Sequence, residues 1–192
     1  MRNVSRPELG EIVLADPPGA WEALGFDVQD GTIWLGGVRI LLGGATAGLK
    51  LRGLDEGHDF DGLAIGPSTA RPPPTSEHPI GATAVDHVVA LTPDLERTTS
   101  KLRAAGFDHR ATRGSQAFFV VGPCLLELAG HADEPARFWG LTLVVRDIDR
   151  AAAQLGDRLG RVKQAVQPGR RIATVRSAEA GLATPLALIT PR

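Results

Sequence analysis

Tyrosine is absent from the 192-residue sequence, and cysteine and methionine occur once each. With Cys124 alone, no disulfide can form within the chain, which fits a cytoplasmic setting. Long apolar runs are also missing. Nothing approaches the roughly 18 consecutive apolar residues of a membrane helix. The opening stretch MRNVSRPELGEIVLADPPGAW has no apolar segment of signal-peptide length. Charge of one sign is lacking too: the net charge is −1 and the pI is near 6.5. That balance leaves no basic field for nucleic acid or an anionic membrane. Three motifs are absent: the G-x-x-x-x-G-K-[ST] phosphate loop, the G-x-S-x-G elbow and the C-x-x-C pair. GGVRILLGG is glycine-rich but reads as hairpin turns.

What is present is a core-forming chain. A 43% hydrophobic content over this length supports one domain, or one domain and a small partner. The segment PSTARPPPTSEHPIGAT (67–83) holds five prolines and reads as an extended, solvated linker. It separates an N-terminal part (1–66) from a longer C-terminal part (84–192). High Gly, Pro, Ala and Arg content fits a GC-rich bacterial coding sequence.

One pattern recurs on both sides of the linker, as strand, helix, then two or three strands. In the middle copy AVDHVVALT is a strand and PDLERTTSKLRAAG a helix. Thr92 is the expected N-cap, with Pro93 at the first helical position. Leu95, Thr99 and Leu102 form the expected buried stripe, and Gly106 the left-handed residue after the helix. QAFFVVG and CLLELAG follow as strands around a Gly-Pro turn. In the last copy WGLTLVV is a strand and RDIDRAAAQLGDRLG a helix capped by Asp147. VKQAV, RIATVRS and TPLALIT complete it. The first copy is weaker: GEIVLA, then DPPGAWEALGF with Asp16 as cap, then TIWLGG, VRILLGG and GLKLRGL. Each amphipathic helix needs a sheet to cover it. A curved antiparallel sheet from two such units leaves a concave face, where a small ligand is expected.

The segments DHVVALTPDLERTTSKLRAAGF, CLLELAG, WGLTLVVRDIDRAAAQLGDRLG and QPGRRIATVR resemble the paired β-α-β-β-β modules of the vicinal oxygen chelate superfamily. That superfamily includes glyoxalase I, extradiol dioxygenases, and fosfomycin- and bleomycin-resistance proteins. The resemblance covers roughly residues 84–192. It implies an α+β fold of paired modules, with an extra diverged module at the N-terminus. It also implies ligands from the first and last strands of two modules, usually His or Glu. His87 and Glu127 fill two such positions. Counting by analogy puts Gly140 and Ala187 or Leu188 at the other two, and Leu9 and Leu41 at the N-terminal pair. The metal site is therefore expected to be incomplete.

Two classes of function follow. One is a small-molecule-binding protein. The other is a metal-dependent lyase, isomerase or dioxygenase acting on a small oxygenated substrate. In the second, a divalent metal (Zn, Ni, Mn or Fe) would be held by His87 and Glu127. Alone in an apolar strand, His87 is either a ligand or a hydrogen-bonded strand histidine. Glu127 is a ligand, a general base or a solvated strand-end carboxylate. Arg170 and Arg171 form either an anion clamp or a solvated turn. Trp139, Phe118, Phe119 and Trp34 are candidates for a pocket wall or for plain core. His58, His78, His109 and His131 sit in loop-like polar surroundings. Cys124 reads as inert core. The resemblance also implies a homodimer.

Overall fold

The structure, a computed structural model, describes residues 6–72, 77–130 and 134–192. His131 and residues 73–76 of the proline-rich segment lie outside the described residues. Among the described residues no helix is long and apolar enough to cross a membrane.

Two sheets carry the fold. The C-terminal sheet has eight strands built by two units of the same plan. The first unit is β7 (Ala82–Leu91), α2 (Leu95–Ala104), β8 (Asp108–Arg113), β9 (Gln116–Val121) and β10 (Cys124–Ala129). The second is β11 (Arg137–Val145), α3 (Ile148–Leu155), β12 (Lys163–Gln164), β13 (Arg171–Thr174) and β14 (Leu186–Ile189). The strand order is β12-β13-β14-β11-β7-β10-β9-β8. Within each unit the first and last strands pair in parallel, and antiparallel pairing of β7 with β11 joins the halves. Both halves of the sheet thus come from one chain.

The N-terminal sheet contains β1 (Glu8–Val13), α1 (Pro18–Ala23), β2 (Thr32–Leu35), β3 (Val38–Leu41), β4 (Gly48–Arg52), β5 (His58–Phe60) and β6 (Leu63–Pro67). Its order, β2-β3-β1-β4-β6-β5, follows the same rule with one strand fewer per half. Where one diverged copy was expected, there are two reduced ones. In the second, residues 53–57 replace the helix.

Helix starts follow local chemistry. The N-caps of α2 and α3 are Asp94 and Asp147. Asp94 accepts from Arg97 N at 2.9 Å, and Asp147 from Asp149 N and Arg150 N at 2.9 and 3.0 Å. Thr92 is not the cap, because Pro93 precedes the helix instead of opening it. Thr92 Oγ1 instead meets Thr98 Oγ1 at 2.7 Å in the interior. The buried residues of α2 are Thr98 and Leu102, so Thr98 takes the place expected of Thr99. Asp16 is not a cap either. The N-cap of α1 is Pro17, and the wholly buried Asp16 bridges to Trp21, Ala183 and Thr184.

The apolar faces of both sheets and the inner faces of the helices share one core, from Leu9, Ile12 and Trp21 through Ile40 and Leu51 to Val88, Phe119 and Leu143. The N-terminal sheet therefore buries its apolar face against the rest of the same chain. The described part of 67–83 alternates exposed residues, such as Pro67, Thr69, Arg71, Pro72, Glu77 and Pro79, with points that are held down. Ser68 Oγ bonds Glu11, Ala70 and Ile80 are buried, and β7 already begins at Ala82.

A tight turn locks the β5–β6 edge against α2. Asp61, at φ 61°, accepts from Thr98 Oγ1 (2.6 Å), Lys101 Nζ (2.5 Å) and Arg97 Nε (3.1 Å). Burial pushes its pKa up, but these hydrogen bonds outweigh that and hold it at about 2. Gly62 follows at φ 110°, and a Cβ there would lie 2.6 Å from Pro135 Cβ and 3.0 Å from Ala136 O. Gly62→Ala is expected to cost about 1–3 kcal/mol in urea unfolding, from backbone strain and this contact. A loss under about 0.5 kcal/mol would show that the turn relaxes freely.

Candidate functional site in the eight-stranded sheet

The face of this sheet opposite the shared core forms an open cavity of about 630 Å³. Its polar centre is made by a bulge. His87 pairs with Thr142, but Val85 pairs with Leu143, so Asp86 is an extra residue on β7. The bulge lets two successive side chains work together. His87 Nδ1 lies 2.9 Å from Asp86 Oδ2. A carboxylate only accepts, so Nδ1 carries the proton. Nε2 is then the acceptor, with Thr142 Oγ1 donating at 3.0 Å.

Asp86 is in turn held by Arg170. Arg170 Nη2 donates to Asp86 Oδ1 at 2.7 Å, and its Nε to Thr190 O at 2.8 Å. Both side chains of this ion pair are 95% buried or more. Burial raises the Asp86 pKa, but hydrogen bonds from His87 and Arg170 and the guanidinium charge win and hold it at about 2. Burial chiefly pushes the Cys124 thiol up to about 12, and the thiol is inert.

Glu127 on β10 faces the same cavity. Its Oε2 lies 3.9 Å from His87 Nε2, while Oε1 accepts from Gln116 Nε2. The site thus presents the Glu127 carboxylate beside the His87–Thr142 pair. A hydrogen-bond donor or a cation beside Glu127 is the complementary partner.

His87 and Glu127 therefore converge on one cavity. The other sequence candidates do not join them. Arg170 and Arg171 diverge: Arg170 is internal, and Arg171 makes a bidentate pair with Asp149 on α3 at 2.9 and 2.7 Å. Neither is available as half of an anion clamp. Phe119 is wholly buried in the core, and its neighbour Phe118 lines the cavity. Trp139 is 46% exposed at an irregularity near the start of β11, outside the cavity wall. His78 is buried, not in a polar loop. Its Nδ1 accepts from Asp27 N at 3.1 Å and its Nε2 donates to Trp34 O at 2.8 Å. His109 meets Thr112 at 3.0 Å, and His58 stacks on Phe60. Phe118 lines the cavity as a pocket-wall candidate would, whereas Asp86, Thr142 and Gln116 were not candidates. The one signal for them was Asp86-His87, two adjacent polar residues that break an apolar strand.

Thr142 lies opposite His87 on β11, but it is not the repeat counterpart of His87. Seven residues separate His87 from the cap Asp94, and Gly140 from the cap Asp147. Leu91 pairs with Ala129 and Val144 with Ile189, and two residues before these partners stand Glu127 and Ala187, so Gly140 and Ala187 are the counterparts of His87 and Glu127. Gly140 is held small by its surroundings: a Cβ there would lie 2.6 Å from Pro185 O. In the N-terminal sheet Leu9 is core. The polar face is occupied by Glu11, which bonds Arg39 and Ser68. These bonds, against the opposing effect of burial, lower the Glu11 pKa.

A metal site of the superfamily's kind does not fit these residues. Such a site takes about three protein ligands. Here the counterpart positions of His87 and Glu127 hold a glycine and an alanine, and the described residues contain no group of three His, Cys, Asp or Glu able to hold an ion.

No protein-family model and no curated protein matches this sequence. Solved structures do. A xylose isomerase-like TIM barrel/4-hydroxyphenylpyruvate dioxygenase fusion protein aligns over 97% of this chain and 49% of its own, at 12% identity and a TM-score of 0.60. Methylmalonyl-CoA epimerase from Mycobacterium tuberculosis aligns over 58% of this chain and 90% of its own, at 18% identity and a TM-score of 0.46. A Streptomyces coelicolor methylmalonyl-CoA epimerase in complex with 2-nitronate-propionyl-CoA aligns over 55% and 95%, at 21% and 0.44. The likeness that spans the whole chain is one of fold. The chain has the α+β, paired-module fold of the vicinal oxygen chelate superfamily.

Proposed function

We propose that this chain binds a small molecule in the cup of the β7–β14 sheet without a resident metal. The observation that carries this reading is the pairing at the cup centre. The His87–Glu127 pair opens on about 630 Å³, while the counterpart positions of the second unit hold Gly140 and Ala187. A cavity of this size is of the ordinary order for a small organic ligand. Both halves of the cup come from one chain, so a homodimer is not needed to complete it.

A second reading, proton transfer on a bound substrate, draws support from the Asp86–His87 pair. A carboxylate that fixes the Nδ1 proton orients the ring, and Glu127 beside it has Oε2 open to act as the base. The metal-dependent lyase, isomerase or dioxygenase alternative would need a third ligand.

Elemental analysis after incubation with Zn, Ni, Mn and Fe(II) separates these readings from metal chemistry. Far less than one equivalent is expected, with no difference between the native protein and His87→Ala. Near-stoichiometric metal that His87→Ala abolishes would overturn the metal-free reading.

A further inference from the structure

We propose that the ligand is an amphipathic organic anion, bound acid-outward. This rests on the cup-binding reading above and adds the chemical class. Arg110, Arg113, Lys163 and Arg192 line the same cavity. None of the four makes an ion pair among the described residues. Elsewhere Arg6, Arg39, Arg52, Arg97, Arg137 and Arg176 each meet a carboxylate, while Lys50, Arg71, Arg103, Arg150, Arg158 and Arg161 make no ion pair among the described residues and line no part of this cavity. A chain of net charge −1 thus places four unneutralised cations around one opening. Walls of low dielectric focus such a field into the cleft.

The local folding supports a built feature. The β8–β9 register slips between His109 and Ala111, so Arg110 is an extra residue, and it lines the cavity along with Ala111 and Arg113. On the opposite side Lys163 starts β12, and the loop after it carries Val166, 90% exposed at the cavity mouth. A largely exposed valine beside a cationic rim suits contact with an apolar ligand body. Deeper in, Phe118, Leu125, Ile172 and Ile189 form an apolar wall. At the floor, Glu127 repels an anion and accepts from a hydroxyl or amine. The polarity thus runs from cations at the mouth, through an apolar middle, to acceptors at the base.

Two fluorescent probes differing by one sulfonate test this: 1-anilinonaphthalene-8-sulfonate and N-phenyl-1-naphthylamine. Each is titrated into the native chain, into Arg110→Ala/Arg113→Ala/Lys163→Ala, and into Leu125→Trp, which fills the cavity. Far-UV circular dichroism checks the fold, and the single Arg113→Glu replaces the triple variant if that unfolds. The sulfonate is expected to lose roughly 10- to 100-fold in affinity in the rim variant, and to weaken with added salt. The neutral probe should change less than about threefold. Equal effects on both probes would overturn the anion assignment and leave cup binding standing. Binding of neither probe by the native chain, or binding indifferent to Leu125→Trp, would overturn the cup reading itself.

Discussion

Replacing Asp86 with alanine is expected to remove about 3–5 kcal/mol of stability, read from urea unfolding at neutral pH. The loss comes from Arg170 more than from the missing carboxylate. Arg170 is 4% exposed, and its Nη1 already lacks a hydrogen-bond partner among the described residues. Without Asp86 it is a buried charge with only Thr190 O to meet it. Asp86→Asn keeps an acceptor but not the charge, and should fall between. The double variant Asp86→Leu/Arg170→Met should recover most of the loss, because an apolar pair removes both desolvation costs. If the double variant were as unstable as Asp86→Ala, the ion pair would not be the cause.

The same carboxylate makes stability depend on acid. Its folded pKa is depressed to about 2, so its contribution is complete above about pH 4 and is lost as pH falls through 2. The size is about 2 kcal/mol. Asp61, also held near 2, acts in the same window and direction. Unfolding curves between pH 7 and pH 2.5 should therefore show the gap between native protein and Asp86→Asn shrinking below pH 4. A gap constant with pH would place the effect elsewhere.

The C-terminal repeat was legible because its signals are local. Asp94 and Asp147 cap equivalent helices, and each strand run is apolar enough to stand out. The second half of the N-terminal sheet was not. Its strands β5 and β6 are three and five residues long, and no helix separates them from β4. Register was the other blind spot. In Phe118-Phe119-Val120-Val121 every residue is apolar, so alternation cannot tell cavity from core, and only pairing with β10 decides it. The site itself was half visible. His87 and Glu127 announced themselves as polar residues in apolar strands. Arg170 meets Asp86 across 84 residues, a contact that no spacing rule reaches.

Asp16→Ala is the other substitution expected to cost about 3–5 kcal/mol, although it lies outside the cup. Asp16 is wholly buried, and it joins the N-terminal sheet to the last module. One oxygen accepts from Ala183 N at 2.6 Å and Thr184 N at 3.1 Å, and the other from Trp21 Nε1 at 3.2 Å. Truncation leaves three donors unpaired, two of them on the buried Trp21 and Thr184, each costing about 1–3 kcal/mol less whatever water recovers. Asp16→Asn distinguishes this account from simple loss of volume. The amide keeps an oxygen for the two backbone N–H groups but turns a donor toward the indole. It should therefore cost about 1–3 kcal/mol. Urea unfolding followed by tryptophan fluorescence reads both variants, with Trp21 reporting from beside the substitution. Equal losses for Ala and Asn would mean that packing, not donor satisfaction, holds this junction. A loss below about 1 kcal/mol for Asp16→Ala would mean that the two sheets are held by their shared apolar core alone.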